Sequence, residues 1–457
     1  MSILEIQHNP ILSNSNHKIK VNRVYKDPNR DLKIGIWIYF LLLIFEGALR
    51  KWFLPFLATP LLIVRDPVAI WLVVKCWQRG LLPRSLYLYG MSLIGVISIF
   101  TAIFFGHGNL FVALFGVRPM LIHFPLIFAI GSIFTRADVI KIGKATLWIT
   151  IPMTVLIGLQ FYSPQSAWVN RGVGGDMAGA GYSGANGFFR PPATFSFTTG
   201  TTAYYSFAAC YIFYFLFNLK NVNKLALLGA MLGLFAAIPF SISRGLFYQI
   251  GVTLIFTVFA AARKPQYLGK MIVAFAAAIV LLISLSQVSF LSKPIDAFTE
   301  RFTSAGTAEG GAIKGTIGNR FTAGLTRALS DDANLPYFGY GVGMGTKVGS
   351  MLLGGNGGFM IAEDEWPRIV GEIGTILGLS VIVIRLCLGF GIAADSYKKL
   401  SKGDFLPWML LSYGLLTLFQ MGWSQPTYLG FFVMMGGLLI ASLKTGKSNN
   451  NIRSSIT

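Results

Sequence analysis

Charge is what this chain has least of. Only 12% of its 457 residues are Asp, Glu, Lys or Arg, where an ordinary soluble domain carries about 25%. That deficit excludes a free-standing soluble domain. Cysteine is scarce too. The three cysteines, Cys76, Cys210 and Cys387, fall inside apolar runs, which argues against disulfides and thiolate metal sites. Histidine occurs four times, and never after His123, so no later segment can use one as a base. A cleavable signal peptide is not visible. Residues 1–33 are polar and basic with no apolar stretch, and they read as a largely disordered cytoplasmic tail. No nucleic-acid-binding motif is present.

Apolar residues fill the space. They make up 54% of the chain, with a mean hydropathy of +0.62. A membrane span needs about 20 mostly apolar residues. Such runs recur at 34–50, 61–78, 86–105, 110–134, 139–161, 201–219, 224–242, 245–262, 271–290, 367–394, 405–423 and 427–443. Arg65, Asp66 and Pro67 weaken the second. The expectation is an all-α, polytopic bundle of about twelve helices. Residues 34–443 form its membrane domain, and 444–457 a second cytoplasmic tail.

Lys and Arg in short loops set orientation. With the N-terminus inside, every inward connection, taken with its flanks, is basic: Arg79 and Arg84, Arg136, Lys141 and Lys144, Lys220 and Lys224, Arg263 and Lys264, and Lys398, Lys399 and Lys402. The formal net charge of +20 is then mainly a topology signal. It needs no nucleic acid. Two long segments face outward, about 162–200 and 291–366, and both are rich in glycine.

Most remaining basic residues in the outward regions and spans are arginines, whose planar fork suits phosphate and carboxylate. Arg190 stands in "NGFFRPPATFSFTTG", followed by two prolines that fix φ near −65°. One reading makes it a solvated loop residue beside a helix start. The other makes it an anion ligand on a stiff support. Arg244, in "PFSISRGLFYQI", occupies a tight outward turn, and Arg320 lies in "GNRFTAGL". Three arginines on one side favour a convergent cationic site.

Glu363, Asp364 and Glu365 precede the tenth run in "AEDEWPRIVGEIGTILGL". Acids at a helix N-terminus stabilise its dipole. A general base or a divalent-cation site is the functional alternative. Glu372 lies on nearly the same face as Glu365, with Arg368 able to pair with it. Glu46 and Arg50 make a similar pair in the first run. Phe188, Phe189, Trp366 and Trp423 could pack on sugar or lipid, or belong to the interfacial aromatic belt.

These pieces resemble the O-antigen polymerase and O-antigen ligase superfamily, polytopic glycosyltransferases of the GT-C type. "FRPPATFSFTTGTTAYY" is similar to the family's arginine-led entry into a span. "SISRGLF" resembles its serine-arginine turn, and "NRFTAGLTRAL…LPYFGYGVG" its arginine, helix and P-x-F-G-x-G run. "EDEWPRIVGEIGTILGL" occupies the place of its His-Asn…Glu-x-Gly segment, with Glu363 where the ligases have histidine. The ligase-type histidine is absent, and "EGALRKWFLP" at 46–55 matches none of the family's general motifs.

The resemblance implies an enzyme of the bacterial inner membrane, with both termini cytoplasmic and its active site outside. It would transfer glycan from an undecaprenyl-diphosphate-linked oligosaccharide to an acceptor glycan, without a metal or other cofactor. Arg190, Arg244 and Arg320 would hold the diphosphate, and Glu363 or Asp364 would act as base. The missing histidine favours a polymerase over a ligase. A polysaccharide flippase or other twelve-span transporter is the rival of a different class. No half-to-half repeat supports it.

Overall fold

The computed structural model describes residues 27–263, 269, 289–308, 335–355, 361–362 and 364–444. The chain is a membrane-embedded helical bundle. Its elements are α1 (Arg30–Ala48), α2 (Arg65–Gln78), α3 (Leu86–Phe104), α4 (Leu110–Arg118), α5 (Phe124–Ile133), α6 (Arg136–Tyr162), α7 (Thr198–Phe217), α8 (Lys224–Phe240) and α9 (Arg244–Ala262). After these come α10 (Ser289–Ala308), α11 (Lys347–Leu352), α12 (Glu365–Ile373), α13 (Thr375–Ser401), α14 (Leu406–Gln420) and α15 (Pro426–Leu443). Among the described residues one antiparallel pair, β1 (Tyr182–Ser183) and β2 (Phe189–Arg190), sits in the first long loop. Wider π-type turns extend α1 through Leu49–Phe53 and join α4 to α5 through Pro119–His123.

Among the described residues, 7 helices or continuous helical runs are long and apolar enough to cross a membrane. Lys224–Phe240 and Leu406–Gln420 are shorter apolar helices. The run expected at 271–290 lies almost wholly outside the described residues, as do the outermost parts of both tails. The run expected at 367–394 differs from the prediction. It begins earlier, as α12, and breaks at Gly374, where φ is +80°. A side chain at Gly374 would collide with the Tyr337 carbonyl, so only glycine lets the second long loop pack there.

Burial is inverted relative to a soluble protein, as lipid solvation requires. Phe104, Phe111, Trp77 and Leu86 are exposed, whereas Glu46, Lys51, Arg65, His123, Glu365, Arg368 and Arg385 are buried. The central helix is α7, which packs against α6, α8, α9, α14 and α15. Hydroxyls join these helices inside the apolar medium. Thr150 and Thr154 of α6 meet the Tyr204 and Tyr205 hydroxyls at 3.1 and 2.8 Å. Gln249 of α9 donates to the Ser412 carbonyl of α14 at 3.0 Å. Caps fix several helix starts. Thr135 and Asp138 form a reciprocal capping box on α6, and Asn109, Asn223 and Ser243 cap α4, α8 and α9.

Candidate functional site: a cationic cluster over three helix N-termini

Three helices begin at the same end of the bundle. Thr199, in the first turn of α7, donates to Gln425, which precedes α15, at 3.3 Å. Thr202 of α7 shares a hydrogen bond with Ser243, the cap of α9, at 3.0 Å. The N-termini of α7, α9 and α15 therefore converge. A helix N-terminus has first-turn N–H groups without intrahelical partners and carries a partial positive charge; at α9 the Ser243 hydroxyl accepts one of them, from Leu246. Thr198 adds a buried hydroxyl with no hydrogen-bond partner.

Arg190 stands beside this convergence. The β1–β2 pairing places it opposite Tyr182. Its half-buried side chain ends in a guanidinium whose Nε is enclosed and without a hydrogen-bond partner. Burial, reinforced by the positive charges of Arg301 and Arg244, holds its pKa down to about 10, against the opposing pull of Tyr428 and Tyr182. So the structure brings Arg190 and Arg244 within mutual electrostatic reach. It adds Arg301 of α10, to which the sequence alone assigns no role. Arg301 also donates to the Gly184 carbonyl at 3.2 Å, tying α10 to the hairpin. Lys347 of α11 lies 5.9 Å from the Phe197 ring, at the entrance to α7. Arg320 lies outside the described residues.

The acids separate into two environments. Glu363 lies outside the described residues. Asp364 is exposed at the N-cap position of α12, and its side chain makes no capping hydrogen bond. Glu365 is buried and fully engaged. Arg385 donates to its Oε1 at 3.1 Å, while Arg368 and the Trp423 N–H donate to its Oε2 at 3.0 Å each. Glu372 pairs with Arg368 at 2.7 Å and accepts the Gly345 N–H at 2.9 Å. This network fixes the glycine-rich stretch 339–345 to α12. Gly341 donates there to the Glu372 carbonyl at 2.9 Å.

Three of the four aromatics singled out from the sequence have internal partners. Trp366 is buried and donates to the Phe419 carbonyl at 2.9 Å. Trp423 is buried beneath Arg385, 4.4 Å from its ring. Phe188 stacks on Phe161 at 4.5 Å, and only Phe189 remains exposed. Glu46 likewise turns inward, to Arg65 at 2.9 Å and Arg50 at 3.6 Å.

Compared with known proteins, the chain matches no family model and no curated protein.

Proposed function

We propose that the chain is a glycosyltransferase acting outside the cytoplasmic membrane. It takes glycan from a polyprenyl diphosphate and adds it to an acceptor sugar hydroxyl, as a polysaccharide polymerase with a twelve-span, GT-C-like architecture. One observation carries this reading: Arg190, Arg244 and Arg301 gather beside three converging helix N-termini. Such an arrangement suits an anion carrying more than one charge.

The chemistry asks for little else. The acceptor oxygen attacks the anomeric carbon, and the bond from that carbon to the diphosphate oxygen breaks. Negative charge then grows on the departing diphosphate. Prepositioned guanidinium groups and helix N-termini stabilise that charge as it forms. The acceptor's proton passes to a carboxylate, for which Asp364 is the exposed described acid and Glu363 its neighbour. Glu365 is unsuited, since both its oxygens are already occupied.

Purified protein in proteoliposomes, given only a polyprenyl-diphosphate-linked repeat unit, should lengthen the lipid-linked glycan and release polyprenyl diphosphate. Mass spectrometry reads both products. Absence of release and lengthening overturns the proposal. Long lipid-linked chains accumulating in a deletion strain, in place of single repeat units, would identify a ligase.

A further inference from the structure

The residues that follow Arg190 are held more tightly than a loop requires. Ala193 adopts φ +55°, a left-handed conformation that a non-glycine residue keeps only when its surroundings impose it. Both backbone groups of Ala193 are clamped. Its N–H donates to Gln160 Oε1 at 2.8 Å, and its carbonyl accepts from Gln160 Nε2 at 3.2 Å. The same carbonyl accepts a second hydrogen bond, from Lys51 Nζ at 2.6 Å.

Lys51 is the unusual member. It is 1% exposed, and the partners found for it are this carbonyl and the Trp52 ring, 4.6 Å away. A buried ammonium is ordinarily paired with a carboxylate. The π-type turn at Leu49–Phe53 brings its neighbour Arg50 to the same segment, where it donates to Ser196 Oγ at 3.0 Å. Thr194 donates to the Ile44 carbonyl at 2.6 Å, and a side chain at Gly47 would overlap the backbone at 194–196. The stretch "EGALRKW", unexplained by the sequence resemblance, is therefore a bed for the stretch "RPPATFS".

We infer that Lys51 and Gln160 are positioning residues for Arg190: by gripping the Ala193 carbonyl they fix the direction from which the arginine meets its anion. The inference rests on the diphosphate reading of the site. Neither residue touches the anion. Each acts through the backbone between 190 and 193, which Pro191 and Pro192 make too stiff to absorb a displacement.

The test uses the full-length protein in nanodiscs and titrates inorganic pyrophosphate by calorimetry. Lys51→Met should weaken binding about tenfold or more, as Arg190→Ala should. The double variant Lys51→Met/Arg190→Ala should bind no more weakly than Arg190→Ala alone, since a residue that acts only through Arg190 has nothing left to lose. A purely structural lysine would give losses that multiply. Wild-type affinity in Lys51→Met, or multiplying losses, overturns the inference while leaving the diphosphate site intact. Unchanged affinity in Arg190→Ala overturns the diphosphate reading itself, and the inference falls with it. If Lys51→Met does not yield monodisperse protein, Gln160→Glu takes its place. That change removes the amide donor to the Ala193 carbonyl and to the Val169 carbonyl, which it meets at 2.8 Å, but keeps the acceptor for the Ala193 N–H, and the same non-multiplying pattern is expected.

Discussion

Glu365→Gln separates structural acids from reactive ones. The Glu365 side chain is 2% exposed, and its oxygens receive four hydrogen bonds: two from Arg368 at 3.0 and 3.1 Å, one from Arg385 at 3.1 Å and one from the Trp423 N–H at 3.0 Å. The amide keeps the shape but loses the charge. One of its two ends also becomes a donor facing donors. Arg385, fully buried, would keep its carbonyl partners Leu418 and Met421 but lose its counter-charge. Removing one partner of a buried ion pair typically destabilises by about 3–5 kcal/mol. At 1.4 kcal/mol per decade this is roughly a hundredfold to several-thousandfold in the folding equilibrium. Reversible unfolding in mixed micelles would read the loss, with Asp364→Asn, at an exposed position, changing stability by about 0.5 kcal/mol or less. Equal stability of Glu365→Gln and the parent protein would refute the assignment of Glu365 as a strut. It would also return Glu365 to the list of possible bases.

Other outcomes follow from the same geometry. Arg190→Lys and Arg244→Lys should each lower transfer about tenfold to a hundredfold at normal membrane levels, the usual loss of a charge-assisted contact; steady-state kinetics on purified variants reads both. Single cysteines placed at 170–190 should react with a membrane-impermeant maleimide in intact spheroplasts, and labelling only after lysis would reverse the orientation. The depressed pKa of Arg190, about 10, means its charge is present below that value and lost as pH rises through it. Pyrophosphate binding should therefore decline past about pH 10 in the parent and lack that step in Arg190→Ala. Asp364→Asn or Glu363→Gln should abolish turnover while pyrophosphate binding persists, and excess EDTA should leave transfer unaffected; magnesium-restored activity would make the cluster a metal site.

Helix positions were largely legible, because each long apolar run has a single way to satisfy its backbone in lipid. The expected run at 139–161 became α6, Arg136–Tyr162, and the run at 427–443 became α15, Pro426–Leu443. The break at Gly374 was not legible. Hydropathy averages over it, and its cause is a contact with Tyr337, far away in sequence. Arg190 announced itself through Pro191 and Pro192. Arg301 did not, because its relation to Arg190 depends on how α10 meets the hairpin at Gly184. The bond from Lys51 to Ala193 joins residues 142 positions apart, and no local pattern encodes it.

The charged residues inside the bundle show why composition alone overstates function. An ionisable group in a span is expensive enough to be suspected of a role. Here most such groups neutralise one another between helices: Glu46 with Arg65, Asp66 with Arg118, and Glu365 with Arg385. Each pair ties two segments whose apolar surfaces gain little from association in lipid. Arg190 differs in the charges around it. Those that act on it most strongly include two further arginines and no carboxylate. Like charges gathered beside converging helix N-termini repel one another, so the arrangement disfavours the empty state. Under the proposed function, an arriving diphosphate would relieve that repulsion. The interior pairs tie the fold together, and the cluster at Arg190 is where the proposed diphosphate would supply the opposite charge.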